Sequence, residues 1–121
     1  IMISFLPITL ASVKSLNFLD LTANIVGPMG AKCLAKSNLV SLNLTANRTL
    51  GDDGAVALSE SQTFKSLNVS CCDIGDRGAI SLLNNSVLDE LNISGNYVSS
   101  DGVKNIRFND IHYLKQPKLC L

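Results

Sequence analysis

The sequence has no tryptophan and a single histidine, His112, which leaves little material for a catalytic or metal site. It also has no excess charge of either sign. Ten Lys plus Arg balance ten Asp plus Glu, so no net field draws in nucleic acid or an anionic membrane. Long apolar runs are missing as well. The most apolar stretch, Ile1 to Leu10, is interrupted by Pro7, and spanning a bilayer takes roughly 20 apolar residues. No basic segment precedes that stretch in this sequence, as a secretory signal would require, so no signal is expected unless residues upstream have been removed. The four cysteines, Cys33, Cys71, Cys72 and Cys120, form no CxxC pair and have no histidine at ligand spacing, which argues against zinc and against a thioredoxin-like site. They read as reduced, mostly buried thiols in a reducing compartment, with disulfides as the alternative.

What is present is apolar and repetitive. Hydrophobic residues make up 46% of 121 positions, enough for one small domain with a core. Counts of 19 Leu, 14 Ser and 12 Asn suggest a copied template. Gly30, Gly54, Gly78 and Gly102 follow one another at 24 residues, and Val26, Leu50, Ile74 and Val98 keep the same interval. Upstream of each glycine runs an LxxLxLxxN segment: Leu16, Leu19, Leu21, Asn24; Leu39, Leu42, Leu44, Asn47; Phe64, Leu67, Val69, Cys72; Leu88, Leu91, Ile93, Asn96. Downstream come Ala31 and Leu34, Ala55 and Leu58, Ala79 and Leu82, Val103 and Ile106.

Period two at the fourth and sixth motif positions predicts a short strand with one buried face, and the i, i+4 spacing after each glycine predicts a helix. Asp52, Asp76 and Ser100 sit where helix N-caps are favoured. The glycines are expected to let each helix approach the strand layer. The ninth-position residues, Asn24, Asn47, Cys72 and Asn96, form a structural ladder in which buried amides satisfy backbone groups of adjacent turns; Cys72 is a weaker donor in that series.

These motifs resemble the leucine-rich repeat family in its ribonuclease-inhibitor-like form, over residues 16–108. The resemblance implies an α/β, right-handed solenoid of about four full repeats, with parallel strands on a concave face and short helices on a convex one. Residues 1–15 are expected to be an N-terminal half-repeat or cap, with a helix over residues 3–14, and residues 109–121 a C-terminal partial repeat. Leu119 and Leu121 would supply a fifth strand after a longer linker from Asn109 to Pro117. A start on Ile1 and an end inside a repeat raise the expectation of a segment from a longer protein, with open ends through which copies could self-associate.

Positions three, five and seven alternate away from the buried leucines and should line the concave sheet. The third column holds Phe18, Ser41, Ser66 and Glu90; the fifth Asp20, Asn43, Asn68 and Asn92; the seventh Thr22, Thr45, Ser70 and Ser94. Two readings stay open. The columns form a protein-recognition surface with Phe18 as anchor and the two acids steering basic groups, or they are soluble filler in a scaffold whose contacts lie elsewhere. Lys32, Lys36, Lys104 and Arg107 form no clustered stripe, so no nucleic-acid partner is expected.

Catalysis, cofactors and metals find no support. His112 has no Cys or Ser partner, the acids Asp52, Asp53, Asp73, Asp76 and Asp101 recur at helix starts, and Cys71 and Cys72 would point to opposite faces of a strand. Five triplets match the N-glycosylation acceptor pattern, beginning at Asn43, Asn47, Asn68, Asn84 and Asn92. Glycans there could crowd the concave face, which favours a cytoplasmic setting. The regular unit and the Asn-rich composition are similar to leucine-rich-repeat effectors that intracellular bacterial pathogens deliver into host cytosol. The alternative is a recognition or regulatory segment of a larger protein, such as a ubiquitin ligase or an intracellular sensor.

Overall fold

A computed structural model describes residues 16–99, 101 and 118–120. The expected helix over residues 3–14, the linker from Asn109 to Pro117, Ser100, His112 and the helix residues after Gly102 lie outside the described residues. Within them, strand and helix alternate: β1 (Phe18–Asp20), α1 (Pro28–Ala35), β2 (Ser41–Asn43), α2 (Gly51–Leu58), β3 (Ser66–Asn68), α3 (Asp76–Leu83), β4 (Glu90–Asn92) and β5 (Lys118–Cys120). The five strands form one parallel sheet in chain order. Leu19 lies opposite Leu42, Leu42 opposite Leu67, and Leu67 opposite Leu91. Leu119 pairs with Leu91, which places the fifth strand at the register expected from the terminal leucines.

Each of these strands is three residues long and centres on one leucine, flanked by two polar residues in β2, β3 and β4 and by Phe18 and Asp20 in β1. Each chain segment then turns out of the sheet through one residue in the left-handed region. Ala23, Ala46, Cys71 and Gly95 hold that place with φ of 58°, 62°, 55° and 70°. Helices follow. Pro28 opens α1 at a position where its missing N–H costs nothing.

The helices stack on one another in order, α1 on α2 and α2 on α3. Between helix layer and sheet runs one core built from equivalent positions of successive repeats: Leu21, Leu44, Val69 and Ile93; Val26, Leu50 and Ile74; Leu34, Leu58 and Leu82; Leu39, Phe64 and Leu88. Burying each of these side chains contributes about 2 kcal/mol, against the conformational entropy of ordering its repeat. No single unit closes around its own leucines, so the sum exists only for neighbours in contact.

Gly54 and Gly78 act differently from the expectation. A Cβ on Gly78 would sit 2.8 Å from the Ala55 Cβ on the preceding helix and 2.7 Å from an Asp52 carboxylate oxygen, besides 2.8 Å from Ile74 Cγ2. The close approach is therefore largely helix to helix across a repeat boundary. A Cβ on Gly54 would meet mainly its own repeat's Leu50 side chain.

Candidate functional site

The fifth and seventh columns are joined by one turn motif. In each repeat the fifth-position Oδ1 accepts both the backbone N–H and the hydroxyl of the residue two positions on. The paired distances are 2.9 and 2.5 Å from Thr22 to Asp20, 3.0 and 2.6 Å from Thr45 to Asn43, 3.0 and 2.8 Å from Ser70 to Asn68, and 3.0 and 2.7 Å from Ser94 to Asn92. This Asx-type turn ends the strand. It also fixes each carboxamide's orientation, because a backbone N–H can donate only to the oxygen. The seventh column is consequently turned inward in part: Ser70 is buried, Thr45 and Ser94 are half-buried, and only Thr22 is exposed. Thr45 Oγ1 and Ser70 Oγ lie 3.1 Å apart and link two repeats.

What the columns leave available is narrower than a general polar surface. The Nδ2 groups of Asn43, Asn68 and Asn92 make no hydrogen bond among the described residues, so each presents donors only. In the third column Phe18 is 64% exposed, Glu90 is exposed, and Ser41 and Ser66 are half-buried. The register places Phe18, Ser41, Ser66 and Glu90 side by side, and Asp20, Asn43, Asn68 and Asn92 beside them. The Asp20 carboxyl is held below its ordinary value by the Thr22 hydroxyl, then by the Thr22 amide.

The ninth position carries the turns. Asn47, with no exposed surface, donates from Nδ2 to Leu21 O at 2.9 Å and Leu44 O at 2.8 Å, and accepts from the Val26 N–H at 2.9 Å. Asn96 donates to Val69 O and Ile93 O, both at 2.9 Å, and accepts from the N–H groups of Cys72 and Ile74 at 2.8 and 3.0 Å. Asn24 donates to Leu21 O and Thr22 O of its own repeat. Cys72 gives only its thiol, to Leu44 O at 3.0 Å and Ser70 O at 3.3 Å.

The weak rung at Cys72 has a local reason. Repeat two carries one more residue between its ninth position and the next core residue, Arg48-Thr49 where the other repeats have Ile25, Asp73 or Tyr97. That longer turn bonds itself, Asn47 N–H to Leu44 O and Leu50 N–H to Asn47 O, while the Gly51 N–H reaches Cys72 O of the next repeat. The Asn47 and Leu50 amides therefore have acceptors without a carboxamide at position 72. Cys71 and Cys72 lie in the turn after β3, not on a strand as the sequence reading had them. Burial pushes the Cys72 thiol up to about 11, the wrong direction for a nucleophile.

One polar column went unread in the sequence and a second was misassigned. Ser37, Ser61 and Asn85 are all buried and recur at 24 residues, the signal that could have found them. They fasten the return from helix to strand: Ser61 Oγ accepts from Thr63 and Phe64, Asn85 Oδ1 accepts from Val87 and Leu88, and Asn85 Nδ2 donates to Ser59 O and Ser61 O at 2.8 Å. The second column corrects the N-cap assignment. Asp52 and Asp76 lie inside the first turns of α2 and α3, whose N-cap residues are Leu50 and Gly75 with no side-chain cap. Each acid instead serves the following repeat. Asp52 Oδ1 accepts from the N–H groups of Gly75 and Gly78 at 2.8 and 3.0 Å, at the start of α3, and Asp76 accepts from the Ser99 N–H and hydroxyl at 2.6 and 2.7 Å.

Two ion pairs lie on the outer surface. Arg48 meets Asp73 at 3.2 Å and Arg77 meets Asp53 at 2.6 Å, both exposed and each crossing from repeat two to repeat three. Screening by solvent leaves such exposed pairs little weight in stability. Among the described residues no cluster could hold a metal ion, and no helix is long and apolar enough to cross a membrane.

A family model described as leucine-rich repeat matches residues 36–59, 60–83 and 84–106. The first two of these copies each enclose one strand and the helix after it, and the third contains β4. No curated protein matches the chain. With more than half its length in three consecutive copies of that unit, stacked strand on strand, the chain belongs to the leucine-rich repeat family.

Proposed function

We propose that this domain is a non-catalytic docking module whose protein partner lies across the concave sheet face. The observation that carries the reading is the row of turn-locked carboxamides at Asn43, Asn68 and Asn92, which hold their outward donors in place before any partner arrives. Preorganised donors lose little rotamer freedom on binding. Phe18, exposed at one end of the third column, supplies the apolar anchor, and Asp20 and Glu90 steer basic groups of the partner. Neither nucleic acid nor a membrane is part of this reading, and no cofactor is.

The alternation of strand and helix at an interval of about 24 residues supports the ribonuclease-inhibitor-like form of the repeat. We place the domain in the cytoplasm, as an effector or part of one acting on host proteins. A recognition segment of a ubiquitin ligase or sensor would use the same face, and open ends would let copies associate.

The test is capture of partners by the wild-type protein and by Phe18→Ala and Ser66→Arg variants, with thermal unfolding measured on each. Asn68→Arg is a coarser probe because it also removes the acceptor of the Ser70 turn. At least a tenfold loss of a specific partner in stable variants supports the concave site. Unchanged capture moves it to the helices or the ends.

A further inference from the structure

Three of the five glycosylation-type triplets have a structural origin. Asn43-Leu-Thr45, Asn68-Val-Ser70 and Asn92-Ile-Ser94 are the strand-ending turns, whose geometry needs an Asn or Asp oxygen and a hydroxyl two residues apart. The other two differ sharply from each other. Asn84 is exposed at the C-terminal end of α3 and its Nδ2 makes no hydrogen bond among the described residues. Asn47 has no exposed surface and uses both Nδ2 hydrogens on buried carbonyls.

We infer that Asn47 makes N-glycosylation and folding of this domain mutually exclusive, so that the chain is trapped unfolded in any compartment that glycosylates it. In the transfer, Asn Nδ2 bonds to the anomeric carbon of an oligosaccharide carried on a lipid diphosphate; the carbon–oxygen bond to the diphosphate breaks, and Nδ2 gives up one proton. The product amide keeps one N–H. At Asn47 that leaves either Leu21 O or Leu44 O without its donor and puts a sugar where a carbonyl now packs. The Asn47-Arg-Thr49 triplet is reachable only before the repeat closes, so modification precedes folding and then prevents it. Asn84 carries a glycan at no cost to the core.

The experiment puts the full chain behind a cleavable secretion signal in a glycosylating eukaryotic cell line, as wild type, Thr49→Ala and Thr49→Val, with all three also made unglycosylated in bacteria as folding references. Thr49 lends one hydrogen bond, to Val26 O, so both variants keep the ladder intact. Wild-type secretion is expected to fall at least tenfold below the two variants. Glycopeptide mapping should find the Asn47 glycan in the retained fraction alone, and the Asn84 glycan in secreted protein. A glycan at Asn47 in secreted, protease-resistant protein overturns the inference, as does equal secretion of wild type and both variants.

Discussion

Asn47 and Cys72 occupy the same repeat position and differ in what surrounds them. Truncating Asn47 to Ala strands the Val26 N–H and two carbonyls at a fully buried position, which should cost about 3 kcal/mol or more in urea unfolding. Cys72→Asn restores the family motif yet should destabilise by about 1 to 3 kcal/mol, because the longer turn of repeat two has already used its own amides. The motif makes position 72 look like a defect. The turn length shows it is an accommodation, and that was legible only by counting residues between Leu44 and Leu50. Ala46, held at φ 62°, offers the opposite sign: Ala46→Gly relieves left-handed strain of about 1 to 2 kcal/mol, partly offset by a more flexible unfolded chain, so a net gain of up to about 1 kcal/mol is expected in the same assay.

At the scale of elements, sequence periodicity specified strands, helices and buried columns because one leucine spacing recurs in each unit. Side-chain partners were less legible. Asp52 and Asp76 sit at the right distance from a helix start to look like caps, and nothing in a linear pattern says that they bond amides of the next repeat and not those of their own helix. The same holds for the concave columns. Alternation correctly put Asn68 and Ser70 on one side of the chain, but it could not show that the two bond each other and withdraw the hydroxyl. Asp52→Ala should cost about 1 kcal/mol, and its effect should appear in the exchange protection of Gly75 and Gly78 amides, in α3, more than in α2. Gly78→Ala forces α2 and α3 apart at Ala55 and should cost about 1 to 3 kcal/mol despite the better helix propensity of alanine.

For the whole molecule, stability depends on contacts between neighbours, and some of those contacts titrate. The Ser99 hydroxyl and then its amide hold the Asp76 carboxyl below the ordinary carboxylate value. A depressed native value stabilises the fold above the unfolded carboxylate pKa, near about 3.9, and that contribution is lost as pH falls through the native value. Unfolding midpoints of wild type and Asp76→Asn, followed from about pH 5 to about pH 2, should therefore converge as acid is added. A constant gap across that range would remove Asp76 from the acid response.

The bonds between repeats also have a direction. Asn47, Asn85 and Asn96 reach back to carbonyls of the preceding unit, whereas Asp52 and Asp76 reach forward to the amides of the next. A chain leaving the ribosome can thus fasten each newly emerged turn to one already made, while its acid waits for the segment still being translated. Assembly of this kind grows from the first-synthesised end like a zip, with every closed tooth preparing the socket for its successor.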